Sequence, residues 1–220
     1  MIDRVFELAS ETPLSPYAID FKHNLSRSVW DDEKKIDAIR KFCLKKEKEI
    51  LSLEYTNDGG TGLNENTTTT RYGRYNLFDF VEECPELEDL WKFIKEHWLD
   101  RIKIDNTEAY KTQIACWFNV LRQGQKMTEH RHSSRFSGYL SGNMHLDYYD
   151  TKTVYKHLNS YIEVDNIKGG LVMFPSQLLH GTNEYQGKGE RISIAFDLHL
   201  TNLNDVVCEI IQSSNRIFHT

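Results

Sequence analysis

Residues 191–200 read Arg-Ile-Ser-Ile-Ala-Phe-Asp-Leu-His-Leu, and every second residue from Ile192 onward is large and apolar. Because successive side chains of a strand point to opposite faces, this alternation predicts a β-strand with one buried face. The other face carries Arg191 and Ser193, where a guanidinium and a hydroxyl can bind one carboxylate together. Ten residues separate Arg191 from His180. The stretch therefore predicts a core strand, a candidate anion site and a candidate metal ligand.

The chain before this strand is rich in aromatic and β-branched residues, which are typical of strands. Further strands are predicted at about 109–121, 136–149, 161–164 and 170–174. Parallel strands need long crossover connections, usually helices, and no long helical pattern separates these segments. We therefore expect a mainly antiparallel sheet or barrel.

The first half of the chain contains two amphipathic helical patterns. One covers about 31–53, where Asp31 or Asp32 can cap the helix and the apolar residues share one face. The other covers 85–102 and begins at a proline, which suits a first helical turn. Residues 1–30 show no such pattern and are expected to be irregular. Helices followed by strands predict an α+β fold.

The length of 220 residues fits a single domain with a substantial core. We expect this domain to span 1–220, with a helical N-terminal region at 1–108. The strand-rich core is expected at 109–200 and a C-terminal extension at 201–220.

Composition and charge restrict the class of protein. Hydrophobic residues make up 39% and charged residues 27% of the chain, which is typical of a soluble globular protein. A net charge of −6 provides no basic field for nucleic acid, and no apolar run approaches the ~20 residues that cross a bilayer. We therefore expect neither nucleic acid nor a membrane as partner.

Cysteine spacing indicates the cellular compartment. The four cysteines are far apart and form no Cys-x-x-Cys motif, which favours free thiols in a reducing cytosol over disulfides or a zinc site. The first residues also lack the basic and apolar pattern of a signal peptide. A cytoplasmic location is expected. The cysteines are Cys43, Cys84, Cys116 and Cys208.

Three histidines are candidate metal ligands. His130 and His132 are two residues apart, so on an extended segment both rings point to the same side. His180 follows a predicted apolar strand and can supply a third imidazole. Imidazole binds Fe, Zn, Cu or Ni. A second candidate pair, His145-Leu-Asp147, is a literal His-x-Asp, but it lies only 33 residues before His180.

These motifs resemble the Fe(II)/2-oxoglutarate-dependent dioxygenase superfamily. The spacing from His180 through Arg191 to Ser193 is similar to a common form of its C-terminal motif. Residues 124–132, Gly-Gln-Lys-Met-Thr-Glu-His-Arg-His, resemble the approach to the first ligand pair in prolyl-4-hydroxylase-like members. Three further segments resemble a group of 2OG-Fe(II) oxygenases of bacteria and their phages. These are Trp117-Phe-Asn119-Val, Leu140-Ser-Gly-Asn143 and Phe174-Pro-Ser176.

The resemblance covers about 110–200 and implies a double-stranded β-helix, a jelly-roll or cupin-like barrel backed by the N-terminal helices. It implies Fe(II) and 2-oxoglutarate as cofactors, O2 as cosubstrate, and hydroxylation of a C–H bond in a peptide or small molecule. The implied metal ligands and catalytic residues are His130, His132 and His180. Cofactor-binding residues would be Arg191 and Ser193 for the distal carboxylate of 2-oxoglutarate, together with Asn119 on a neighbouring strand.

One departure from the family pattern leaves alternatives open. The superfamily has Asp or Glu as second ligand, where this chain has His132. A three-histidine site also fits a cupin-type dioxygenase that uses no 2-oxoglutarate, and a third alternative is a non-catalytic barrel that binds a ligand. His132 favours the cupin-type reading, whereas Arg191 and Ser193 favour 2-oxoglutarate. Candidates for the rim of the substrate site are Arg71, Arg74, Arg131, Arg135, Tyr72, Tyr75 and Tyr139.

Overall fold

The structure, a computed structural model, describes residues 1–10, 15–17, 19–107, 112–132, 138–200 and 216–218. Within these residues the chain forms two α-helices and ten β-strands. The helices are α1 (Glu33–Leu51) and α2 (Glu86–Ile104). The strands are β1 (Arg4–Ala9), β2 (Lys22–Val29), β3 (Thr112–Leu121), β4 (Gly138–His145), β5 (Lys152–His157), β6 (Ser160–Asp165), β7 (Gly170–Pro175), β8 (Leu179–Thr182), β9 (Arg191–Leu200) and β10 (Arg216–Phe218).

The strands form two sheets. The larger has seven strands in the order β1-β2-β7-β4-β9-β3-β10, and the smaller has three in the order β6-β5-β8. Every pairing between these strands is antiparallel. The expectation of a mostly antiparallel sheet with two helices is confirmed.

Both helices lie where the amphipathic patterns predicted them. The carboxylate of Asp32 accepts a hydrogen bond from the backbone N–H of Lys35 at 3.2 Å and caps α1. Pro85 occupies the corresponding position before α2, where its missing N–H costs no helical hydrogen bond. The apolar stripes of both helices are buried in one hydrophobic cluster that also includes side chains of β3, β4 and β9.

Strand β9 separates this hydrophobic core from a cavity on its other face. Ile192, Ile194, Phe196 and Leu198 are each fully buried in the cluster shared with the helices. Burial of each such side chain contributes about 1.5–3 kcal/mol. The alternate residues of the strand, beginning with Arg191, line the cavity instead. The alternation in the sequence therefore predicted both faces of β9.

The expectation that residues 1–30 are irregular is wrong. Strand β2 pairs with β7 and β1 pairs with β2, so this segment extends the larger sheet and the region 1–108 is not only helical. Strand β2 is buried on both faces, with Leu25 on one and Ser26 and Ser28 on the other, all fully buried. Two of the three are serines, so β2 shows no hydrophobic alternation that could have predicted it.

Cys43, Cys84 and Cys116 are buried free thiols, as expected, and burial raises the pKa of each. Cys208 lies outside the described residues, as does most of the expected extension 201–220. None of the described helices combines the length and the apolar composition that crossing a membrane would require.

Candidate metal and carboxylate site

His130 and His180 are held side by side by their own backbones. The N–H of His130 donates to the carbonyl of His180 at 3.0 Å, and the N–H of His180 donates to the carbonyl of His130 at 2.9 Å. This antiparallel bridge attaches the segment before His132 to strand β8. The N–H of His132 donates to the carbonyl of Ser176 at 3.1 Å, which fixes the third histidine to the same part of the fold.

The three imidazoles form one cluster. Their candidate ligand nitrogens all lie within 4.8 Å of one another. Nδ1 of His130 donates to the carbonyl of Thr128 at 2.8 Å, and Nδ1 of His180 donates to the carbonyl of Leu178 at 3.1 Å. Nδ1 of His132 likewise has a carboxylate partner. Because each Nδ1 carries the proton, each Nε2 keeps a free lone pair, as metal ligation requires.

The environment also keeps two of these rings, those of His130 and His180, neutral. Burial, together with the neighbouring His132 ring, lowers the pKa of His130 to about 4. The same two causes, burial first, lower the pKa of His180 well below its ordinary value. Neutral imidazole is the form that binds a transition metal. The donor set therefore fits one divalent ion with three nitrogen ligands, and it would leave further coordination positions free.

Asp197 is a member of this site to which the sequence analysis assigned no role. Its Oδ1 lies 2.6 Å from Nδ1 of His132 and accepts a second hydrogen bond from Ser141 Oγ at 2.6 Å. Burial opposes ionisation of Asp197, but His132 and Ser141 outweigh it and hold the carboxyl pKa below its ordinary value. Asp197 shares the face of β9 with Arg191, and this alternation was the available signal.

Arg191 is a buried cation with an unused donor. Its exposed fraction is 1%, and burial lowers the pKa of its guanidinium to about 10. Nε donates to Thr151 Oγ1 at 3.2 Å, whereas Nη1 is buried and has no hydrogen-bond partner among the described residues. No carboxylate in the described part of the chain forms an ion pair with Arg191. A buried guanidinium without a counter-charge is costly, so the site fits an anionic ligand.

The other two predicted anion-site residues lie beside Arg191. Ser193 is on the same face of β9, and Asn119 pairs with Ser193 across β3 and β9. Nδ2 of Asn119 donates to Ser193 Oγ at 3.5 Å, while Oδ1 of Asn119 accepts from Thr69 Oγ1 at 2.8 Å. Asn119 thereby fixes the position of the hydroxyl.

One cavity of about 310 Å³ joins the histidine cluster to Arg191. The larger sheet supplies the walls from β3, β4 and β9, and the smaller sheet supplies those from β5 and β8. All six residues that the sequence suggested for the site line it. A metal ligand set and a carboxylate receptor therefore face the same space.

The second candidate ligand pair does not form a metal site. Asp147 is half-buried and forms an ion pair with Arg40 at 3.6 Å. His145 lines the cavity, but it is not a member of the described cluster of possible ligands. Residues two apart in sequence share a face in a regular strand, but β4 ends at His145, so this rule does not extend to Asp147.

Of the six rim candidates that the structure describes, only Tyr72 and Arg131 line the cavity. Arg71 is buried and donates to the main-chain carbonyls of Leu51 and Leu53, so its role is structural. The remaining candidates are accounted for elsewhere: Arg74 pairs with Glu54, Tyr75 is buried and accepts from the N–H of Phe118, Tyr139 packs against the core, and Arg135 lies outside the described residues.

Solved structures share this fold. A prolyl-4-hydroxylase from Pseudomonas putida matches 81% of this chain and 89% of its own, at 15% identity and a TM-score of 0.52. A prolyl hydroxylase from Trichoplax adhaerens, in complex with a hypoxia inducible factor peptide fragment, matches 79% and 83%, at 13% identity and 0.54. HygX from Streptomyces hygroscopicus, with nickel and 2-oxoglutarate bound, matches 82% and 84%, at 11% identity and 0.51.

The sequence itself matches one protein family over a quarter of its length. Residues 141–197 fit the family described as "Putative 2OG-Fe(II) oxygenase", a segment that begins at Ser141 and ends at Asp197. No curated protein matches the sequence significantly. The family match and the shared fold confirm the resemblance that the motifs indicated, and they indicate a 2-oxoglutarate- and Fe(II)-dependent oxygenase.

Proposed function

We propose that this protein hydroxylates a C–H bond of a peptide or small molecule with Fe(II), 2-oxoglutarate and O2, on a double-stranded β-helix fold. The observation that carries the proposal is the single cavity shared by the three imidazoles and the unpaired guanidinium of Arg191. A 2-oxo dicarboxylic acid has one end that can chelate a metal and another that needs a cation. The two halves of the cavity correspond to these two ends.

Each residue has a distinct task in this proposal. His130, His132 and His180 hold the metal through Nε2, and Arg191 and Ser193 bind the distal carboxylate of 2-oxoglutarate. With these groups bound, the site would supply oxidation of a C–H bond by O2, coupled to conversion of 2-oxoglutarate into succinate and CO2. The protein orients the reactants and keeps water out of a buried cavity.

Substrate would enter beside the aromatic pair Tyr72 and Trp117, whose ring centroids are 5.9 Å apart. Trp117 also lies 5.7 Å from the His132 ring, so this aromatic wall reaches the metal ligands. Asp58 and Arg131 place one charge of each sign on the same cavity lining. This combination is compatible with a peptide or a zwitterionic small molecule, and the structural neighbours include an enzyme in complex with a peptide fragment.

The two alternatives explain fewer observations. A cupin-type dioxygenase accounts for the third histidine, but it leaves the buried and unpaired Arg191 without a purpose. A non-catalytic binding barrel accounts for a cavity, but not for three clustered imidazoles whose Nδ1 atoms each contact an oxygen acceptor. Only a ligand with both a metal-chelating end and an anionic end uses all of these groups.

Anaerobic titration tests the proposal. Addition of Fe(II) and then 2-oxoglutarate should give a weak metal-to-ligand charge-transfer band in the visible spectrum. His180→Ala should abolish the band, whereas His157→Ala, a histidine outside the cavity, should retain it. Binding of Fe(II) with no band would favour the cupin-type reading, and absence of metal binding would favour the non-catalytic barrel.

A further inference from the structure

His145 is a buried histidine whose ring packs edge-on against Tyr149. Its exposed fraction is 3%, and neither Nδ1 nor Nε2 has a hydrogen-bond partner among the described residues. Both nitrogens are shielded from solvent, and the side chain lines the same cavity as Arg191. Buried polar groups normally have partners, because leaving a donor unsatisfied is costly. The lack of a partner therefore suggests that the ring forms a hydrogen bond to a bound ligand and not to another residue of the chain.

The register of the larger sheet places His145 at the carboxylate end of the cavity. His145 on β4 lies directly opposite Ser193 on β9, and directly opposed residues point to the same face of a sheet. Arg191 is close enough to act electrostatically on the imidazole, and burial and this guanidinium together lower the His145 pKa well below its ordinary value. The ring is therefore neutral, with one N–H to donate and no charge to repel Arg191.

We propose that His145 is a further cosubstrate-binding residue, whose ring N–H donates a hydrogen bond to the same carboxylate that Arg191 and Ser193 bind. This inference rests on the proposed function, because it concerns the distal carboxylate of 2-oxoglutarate. It adds a neutral donor from β4 to the cation and hydroxyl from β9. The carboxylate would then be held from two adjacent strands.

Three converging donors would make the cavity selective for 2-oxo acids with a second carboxylate. A 2-oxo monoacid can still chelate the metal, but it would leave the guanidinium of Arg191 and the N–H of His145 buried and unpaired. A site built to hydrogen-bond a ligand group discriminates strongly against an analogue that lacks the group. The competing explanation is a buried water between His145 and Asn143, whose Oδ1 two residues earlier also lacks a partner.

The test compares two ligands on the Mn(II)-loaded protein by anaerobic calorimetry. The ligands are 2-oxoglutarate and 2-oxovalerate, which has the same five-carbon chain without the distal carboxylate. His145→Leu should weaken binding of 2-oxoglutarate by roughly tenfold to a hundredfold, the scale of one hydrogen bond to a charged group. It should leave binding of 2-oxovalerate and of Mn(II) unchanged. His145→Gln, which keeps a donor, should fall between wild type and His145→Leu.

A matched control separates a local effect from general destabilisation. His97 is also fully buried with an unpartnered Nδ1, but it lies on α2 outside the cavity. His97→Leu should leave the affinity for 2-oxoglutarate unchanged. If His145→Leu does not fold, the Zn(II)-loaded wild type replaces it: the ring ¹⁵N signals of His145 should shift on addition of 2-oxoglutarate and not of 2-oxovalerate.

The outcomes distinguish this inference from the function on which it rests. If wild type binds 2-oxoglutarate and His145→Leu binds it equally well, His145 holds only a water and the inference is overturned alone. Unchanged ¹⁵N signals would have the same meaning. If wild type does not prefer 2-oxoglutarate to 2-oxovalerate, the proposed function fails and the inference fails with it.

Discussion

Nδ1 of His132 lies 2.6 Å from Oδ1 of Asp197, although the two residues are 65 positions apart in the chain. The carboxylate is ionised, because its pKa is held below the ordinary value, and it accepts the Nδ1 proton of the imidazole. A carboxylate in this position fixes the tautomer of a metal-binding histidine and makes its other nitrogen a better electron donor. Asp197 thus places a negative charge next to His132, the residue that stands where the superfamily has a carboxylate ligand.

The first prediction follows from this pair. Asp197→Asn keeps the shape of the side chain but removes its charge, and we expect metal affinity to fall by about tenfold to a hundredfold. Calorimetric titration with Mn(II) measures the change. Asp105→Asn, which removes a carboxylate paired with Arg101 away from the cavity, is the control and should bind metal as wild type does. Equal metal affinity in wild type and Asp197→Asn would show that Asp197 does not support metal binding through His132.

Arg191 gives the second prediction. Arg191→Ala should weaken 2-oxoglutarate binding by about 2–4 kcal/mol, because a charged partner is lost from a buried site. This corresponds to roughly thirtyfold to nearly a thousandfold in affinity. Arg191→Lys should be intermediate, since an ammonium keeps the charge but not the planar fork. Metal affinity should change little. Anaerobic calorimetry measures these affinities. If wild type and Arg191→Ala bind 2-oxoglutarate equally well, the cupin-type dioxygenase becomes the better interpretation.

The third prediction concerns the packing of Gly142 on β4 against Phe196 on β9. Gly142 lies on β4 against the fully buried ring of Phe196, and a Cβ added at Gly142 would overlap Cζ and approach Cε1 to 2.7 Å. Gly142→Ala should therefore lower the free energy of unfolding by about 1–3 kcal/mol. In a double-mutant cycle with Phe196→Leu, the smaller side chain should recover part of this loss. Strictly additive effects in urea unfolding would show that the two residues do not compete for space.

The fourth prediction concerns pH. Burial, and then the nearby Arg101, lower the pKa of His97 to about 3. The unfolded chain takes up a proton here near pH 6.5, whereas the folded chain stays unprotonated until about pH 3. The unfolded state therefore binds more protons, so this residue makes stability fall as pH decreases through that window. The slope is about 1.4 kcal/mol per pH unit for one proton.

His97→Gln tests this sign, since it removes the titrating group and can still pair with Ser26, which lies 2.8 Å from Nε2 of His97. The pH dependence of the free energy of unfolding between pH 6.5 and 4 should be shallower in this variant. His157→Gln, at a partly exposed histidine, is the comparison. Identical slopes for wild type and His97→Gln would mean that His97 is protonated in the folded protein.

The sequence predicted those parts of the fold whose signal is local. The strand β9 was visible because its apolar residues alternate, and α1 and α2 were visible because theirs recur at helical spacing. Strand β2 was not, because buried serines give no such pattern. Their burial is possible only through partners elsewhere in the chain: Ser26 Oγ contacts His97 and Arg101, more than 70 residues away in sequence.

The site shows the same division. The spacing of the histidines, Arg191 and Ser193 predicted which residues form the site, and all of them line one cavity. The contacts made by Asp197 and the isolation of His145 depend on strand register, which no local pattern encodes. The sequence predicted the strands on which Asp197 and His145 lie. It did not predict which residues of other strands would surround them.

The paired backbone hydrogen bonds between His130 and His180 have a consequence for how metal is acquired. The scaffold that brings these two rings together is made of peptide groups, so it is complete whether or not an ion is present. The backbone already holds these two histidines in place, so binding of an ion does not have to order them. Loss of the ion should likewise leave their arrangement unchanged. Stripping with a chelator and reloading should therefore be reversible without refolding, and the metal found in the protein would reflect ion supply at the time of loading.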